Sequence, residues 1–137
     1  MDKKYSGGCL CGNIRYEMNS EPVFSGNCHC RTCQILSGSG YNPAMIFLEN
    51  AVKITGQPKY HQLIADSGKK VWRGFCPECG TQTFGKFESM PGMVGIGAGT
   101  LDDPAVYTPM LNFFVSSAQP WDVMDENIPK MPKGARG

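Results

Sequence analysis

The stretch Cys28-His29-Cys30-Arg31-Thr32-Cys33 places three thiols within six residues, and the rest of the chain is organised around it. Thiolates bind soft or borderline cations, and Zn²⁺ is the usual occupant of such a cluster in a cell. Three ligands from one loop are one short of a closed tetrahedral site. A zinc held by three protein ligands keeps a fourth position for water or substrate, which is the usual form of a catalytic zinc. The alternative is a structural site whose fourth ligand comes from elsewhere in the chain. His29 is a poor candidate for that ligand, because in an extended loop its side chain points away from those of Cys28 and Cys30. A supporting or surface role suits it better.

The other four of the seven cysteines bear on the choice. Cys9-Leu10-Cys11 sits in a glycine-rich turn, and Cys76-Pro77-Glu78-Cys79-Gly80 lies between two strand-like runs. Strand, C-P-x-C-G, strand is the form of a zinc knuckle, whose tight turn aims both sulfurs at one metal. Two pairs make four ligands, the number that closes a structural zinc, and Cys28, Cys30 and Cys33 are then left as a separate open site. A partition that joins the triplet to one knuckle cysteine scatters the remaining thiols over two loops. An iron–sulfur cluster is disfavoured because the spacings do not match the ferredoxin runs. Joining Cys9 and Cys11 to Cys76 and Cys79 ties the N-terminal turn to the middle of the chain, a link that a small β domain can use.

Length and charge narrow the class. The chain of 137 residues fits one domain with a real core. Thirteen Lys+Arg against twelve Asp+Glu leave a net charge of +1, and the only basic clusters are Lys3-Lys4 and Lys69-Lys70. That balance argues against a nucleic-acid surface. No apolar run is long enough to cross a bilayer, and the first residues show no signal-peptide core. The expectation is a soluble cytoplasmic protein in which reduced cysteines serve as metal ligands or reactive thiols.

Alternating or apolar runs at residues 13–17, 22–25, 41–48, 52–55, 59–64, 70–75, 81–84, 93–96 and 111–115 read as strands, separated by Gly- and Pro-rich turns such as Asp66-Ser67-Gly68. Pro43 inside the 41–48 run predicts an edge strand or a bulge. About one turn of helix is expected over residues 32–37, and a short helix starting at Pro120-Trp121-Asp122. His61 reads as an ordinary strand residue. The domain is expected over residues 1–125 and an extended or frayed tail over 126–137. Many short strands argue for a mainly β fold.

These motifs resemble a known family. Gly8-Cys9-Leu10-Cys11-Gly12, Cys28-His29-Cys30-Arg31-Thr32-Cys33-Gln34 and Phe75-Cys76-Pro77-Glu78-Cys79-Gly80-Thr81 are similar, in order, to the motifs of the glutathione-dependent formaldehyde-activating enzymes, whose domain is shared with centromere protein V. The resemblance runs from about Gly7 to Trp121. It implies a mainly β fold of small packed sheets stapled by a zinc knuckle, with two Zn²⁺ per chain. Cys9, Cys11, Cys76 and Cys79 match the structural zinc ligands, and Cys28, Cys30 and Cys33 the catalytic ones. The implied activity is that of a carbon–sulfur lyase, the condensation of glutathione with formaldehyde to S-hydroxymethylglutathione. One departure is Asn112, which stands where family members often carry a His and cannot act as a general base.

The expected function is therefore zinc-dependent chemistry on a thiol adduct, with glutathione or a related small thiol as partner. Three thiolates and Zn²⁺ sum to a charge of −1, which suits thiol binding better than generation of hydroxide. Arg31, Thr32 and Gln34 are near enough in sequence to line such a site. The competing expectation is a non-enzymatic, zinc-stabilised binding module. Neither reading specifies an oligomeric state.

Overall fold

The computed structural model describes residues 4–65 and 67–134 of the chain. Met1, Asp2, Lys3, Asp66 of one expected turn and the last three residues of the expected tail lie outside the described residues.

Two sheets form. The smaller joins β1 (Tyr5–Gly8), β2 (Arg15–Met18) and β5 (Val52–Thr55), all antiparallel. The larger has seven strands: β3 (Phe24–Cys28), β4 (Asn42–Leu48), β6 (Lys59–Ile64), β7 (Lys70–Phe75), β8 (Gln82–Phe87), β9 (Met93–Gly97) and β10 (Leu111–Phe113). Their order across the sheet is β10-β3-β4-β9-β8-β7-β6, and β10 beside β3 is the one parallel pair among these strands. The fold is mainly β, and its larger sheet is mixed.

Alternation along the strands gives the larger sheet two different faces. Met45 and Phe47 of β4, Phe84 of β8, and Val94 and Ile96 of β9 join Ile14, Tyr16 and Met18 in the buried core between the sheets. Residues of the opposite parity, Ala44 and Ile46 on β4 and Gly95 and Gly97 on β9, line a cavity. The single α-helix among the described residues, α1 (Arg31–Ser37), packs against β4 and contributes Cys33, Leu36 and Ser37 to the same cavity. It stops at Gly38, whose left-handed backbone (φ 68°) lets its N–H close on Gln34 O, a conformation in which a side chain is strained.

Several expectations need correction. The run containing Pro43 is no edge strand, since β4 lies between β3 and β9. Pro43 is tolerated there because the β9 pairing ends at Ala44–Gly97, leaving Pro43 with β3 as its only neighbour in the sheet. No helix starts at Pro120; the chain makes a turn, closed by Asp122 N–H to Gln119 O at 3.0 Å. β10 ends early at Phe113 because Phe114 adopts a left-handed backbone (φ 56°) and a short 3-10 turn follows at Val115–Ser117. In the tail, residues 126–128 make a turn, and the segment after it packs back onto the chain. Pro129, Met131, Pro132 and Lys133 exchange backbone hydrogen bonds with residues 112–116 at 2.7–3.2 Å.

Candidate metal centres and the adjoining cavity

Backbone hairpins bring the first cysteine cluster together. Cys9 and Cys11 lie in the β1–β2 turn, and Cys76 and Cys79 in the β7–β8 turn. The knuckle is closed by Gly80 N–H to Cys76 O at 2.8 Å, with Gly80 at φ 77°, and by Cys76 N–H to Thr81 O at 2.9 Å. All four sulfurs lie within 4.8 Å of one another. Cys9 and Cys11 are 3.6 Å apart and Cys11 and Cys76 3.7 Å apart. Tetrahedral thiolate ligands at a zinc distance of about 2.3 Å stand about 3.8 Å from each other, so this donor set fits such an ion. Supporting contacts come from Ile14 N–H on Cys9 Sγ at 3.2 Å and from Thr81 Oγ1 on Cys79 Sγ at 3.2 Å.

The electrostatics of the cluster favour a bound cation. The Thr81 hydroxyl, the Thr81 N–H and then the Cys11 N–H bring the Cys79 thiol down to about 5. Cys11 is held in part by the Asn13 N–H, but burial and the sulfurs of Cys9, Cys79 and Cys76 push it to about 12. Four sulfurs this close cannot all ionise unless positive charge sits among them.

The triplet is assembled by a strand end and a helix start. Cys28 is the last residue of β3, Cys30 is the N-cap of α1, and Cys33 lies one helical turn on. Cys30 Sγ accepts the Cys33 N–H at 3.3 Å. The alternation of an extended loop puts Cys28 and Cys30 on one side, and the 30/33 spacing returns Cys33 to it, so the three sulfurs lie within 4.8 Å of one another. S–H donation from Cys28 and Cys33 brings Cys30 down to about 2, while the neighbouring Cys30 and Cys33 push Cys28 far up. This donor set fits a thiophilic cation with one position to spare. Among the described residues these two clusters are the groups of three or more cysteine, histidine or acidic side chains placed to hold a metal.

His29 has turned away from the sulfurs, as its place in the loop suggests, and is wholly enclosed rather than on the surface. Nδ1 meets Asp122 Oδ2 at 2.7 Å and Nε2 meets Asn112 Oδ1 at 3.0 Å. Asn112 also accepts from Asn27 Nδ2 at 3.0 Å, and Asn27 Oδ1 accepts from the Tyr107 hydroxyl at 2.8 Å. This buried polar chain fixes the backbone between two triplet cysteines to β10 and to the C-terminal segment.

A cavity of about 350 Å³ opens between α1 and the outer face of β4, β9, β8 and β7. Cys33 lines it, and none of the four cysteines of the other cluster does. Arg31, Thr32 and Gln34 do not line it either. Gln34 is spent on structure: its Nε2 donates to His29 O and Ser117 O at 2.7 and 2.9 Å, and its Oε1 accepts from Arg31 and Gln119 at 2.6 and 3.0 Å. The cation at the cavity is instead Arg73 of β7, with Nη2 at 3.9 Å from Cys33 Sγ and its guanidinium 5.6 Å from the centre of the Phe87 ring. Sequence reading missed Arg73. Its one local signal is a charged residue inside the run that leads into the knuckle.

Comparison with known proteins bears on the family and the fold. The family described as "Glutathione-dependent formaldehyde-activating enzyme" matches residues 4–117. Among solved structures, a crystal structure of a Rhodobacter sphaeroides protein is similar in fold, with a TM-score of 0.55 at 19% identity, covering 91% of this chain and 98% of that one. No helix among the described residues is long and apolar enough to cross a membrane.

Proposed function

The chain belongs to the glutathione-dependent formaldehyde-activating enzyme family, and from that premise we propose that it makes and breaks the carbon–sulfur bond of a thiol–aldehyde adduct, with zinc at both cysteine clusters. The observation that carries this reading is the position of the triplet. Of the two clusters it is the one that borders the cavity, through Cys33.

In this reading Cys9, Cys11, Cys76 and Cys79 close a structural site, and Cys28, Cys30 and Cys33 hold the second ion with one position left for substrate. That ion, when bound, supplies the stabilisation that lets a substrate thiol ionise near neutral pH. Around it the protein does the positioning. Leu36, Ile46 and Phe87 present apolar surface to the reacting carbon, and Arg73 offsets the negative charge of the thiolate cluster. In the condensing direction the thiol loses its proton, sulfur bonds to the aldehyde carbon, and the carbonyl π pair becomes an oxygen lone pair that takes up a proton. The lyase direction reverses each of these steps. Among the described residues no acidic or histidine side chain lines the cavity, so protons exchange with water or with the substrate's own hydroxyl.

The test is calorimetry of glutathione with the zinc-loaded protein, joined to exchange spectroscopy of a thiol–formaldehyde mixture. Binding with proton release, and adduct exchange faster than the uncatalysed rate, are expected for the wild type. Both are lost in Cys30→Ser. Absence of thiol binding with the triplet metal in place would overturn the proposal.

A further inference from the structure

Among the described residues Arg73 is the only charged side chain that lines the cavity, and no carboxylate pairs with it. Two buried polar side-chain atoms lack a hydrogen-bond partner among the described residues, Arg73 Nε and Thr83 Oγ1. Both belong to residues that line this cavity. Buried donors and hydroxyls are normally satisfied, so two unsatisfied ones on one cavity wall point to a ligand that completes them.

The floor beside them is built to leave room. Gly85 and Gly95 face each other across the β8–β9 pair, and Gly97 follows two residues on along the same face. A Cβ on Gly85 would stand 3.3 Å from Arg73 Nη1 and 3.1 Å from the Phe87 ring, crowding the guanidinium where it lies. A Cβ on Gly95 would stand 3.0 Å from Ile46 Cδ1. Glycine inside a strand weakens the sheet and often marks the close approach of a ligand. The remaining wall is largely apolar, with Leu36, Pro43, Ala44, Ile46 and Phe87.

We propose that Arg73 and Thr83 form a carboxylate subsite, and that the thiol this site prefers is a short mercaptocarboxylate with an uncharged, apolar remainder. The inference rests on the thiol-adduct reading above and deepens it. Arg73 Nη2 lies 3.9 Å from Cys33 Sγ, and both residues line the cavity, so a thiol held beside Cys33 has the guanidinium close by. A carboxylate two or three bonds from that sulfur would be within reach of the guanidinium. Arginine presents a planar fork of donors that matches a carboxylate, and the hydroxyl of Thr83 adds a further donor. A substrate ammonium in the cavity would meet no acidic partner, which selects against a zwitterionic group at this position.

The experiment compares 3-mercaptopropionate, 3-mercaptopropanol, cysteamine and glutathione, titrated by calorimetry into zinc-loaded wild type, Arg73→Gln, Arg73→Lys and Thr83→Val. Zinc content and melting temperature are recorded for each. In the wild type, mercaptopropionate is expected to bind about ten-fold more tightly than the alcohol of the same length, and cysteamine most weakly. The advantage of the acid over the alcohol should vanish in Arg73→Gln, survive in part in Arg73→Lys, and shrink in Thr83→Val. Equal affinity of acid and alcohol in the wild type overturns the subsite whatever the variants do, and so does an advantage undiminished in Arg73→Gln. If the alcohol or glutathione binds without any carboxylate preference, this inference fails and the thiol-adduct reading stands. If no thiol binds at all, both fail.

Discussion

Asn112, which the sequence reading set apart as unable to act as a general base, has surroundings that show what the position does here. Its side chain is buried, meets His29 and Asn27, and does not line the cavity. It holds a loop rather than moving a proton. Replacing it with Leu orphans His29 Nε2 and Asn27 Nδ2 together, so Asn112→Leu is expected to lower stability by about 2–4 kcal/mol, read from denaturant midpoints. Tyr16 offers a pH test. Burial, opposed by the hydrogen bond to Thr100 Oγ1 at 2.6 Å, pushes its phenol up to about 12. The unfolded phenol titrates near 10, so between about pH 10 and 12 the folded state keeps a proton that the unfolded state has lost, and stability falls as pH rises. That window is worth about 2–3 kcal/mol. Tyr16→Phe should cost about 1 kcal/mol at neutral pH and show a flatter alkaline decline than wild type in denaturant titrations across that range. At this scale the cysteines were legible because thiol spacing is local chemistry. Arg73 was not, because it meets Cys33 only after β7 has been placed across the sheet from α1.

Among the elements, the two faces of β4 and β9 divide the labour. One face, with Met45, Phe47, Val94 and Ile96, builds the core, and the other, with Ala44, Ile46, Gly95 and Gly97, lines the cavity. Alternation in the sequence marked most of the strands, since a half-buried strand is written in a period of two. The place of β4 in the interior of the larger sheet was not marked. That depends on where β9 stops pairing, and no property of Pro43 alone records it. The glycines of β9 were equally unreadable as a cavity floor until their partner strand was known. Gly95→Ala tests that floor: the added methyl meets the flexible end of Ile46, so stability should stay within about 1 kcal/mol of wild type. Thiol affinity should drop at the same time. Melting curves alongside calorimetry would separate the two effects.

Across the whole molecule, the four-cysteine cluster spans the smaller sheet and the larger one, because its turns belong to β1–β2 and β7–β8, and a metal held there would fasten the two. The triplet joins only the end of β3 to α1, elements already held by the His29 network and by the docking of residues 129–133 on β10. Cys76→Ser should therefore yield misfolded or insoluble protein, since structural zinc contributes about 10–16 kcal/mol in small zinc-finger peptides, as much as a whole domain's stability. Soluble yield measures this. Cys30→Ser should fold. The most direct measurement of the division between a closed structural site and an open functional one is zinc stoichiometry by native mass spectrometry, on wild type and on Cys30→Ser. About two zinc ions per chain are expected for the wild type, and about one for Cys30→Ser with its melting transition retained. A wild type that holds a single zinc while all three triplet thiols react freely with an alkylating reagent, or a Cys30→Ser protein that unfolds as Cys76→Ser does, would contradict it.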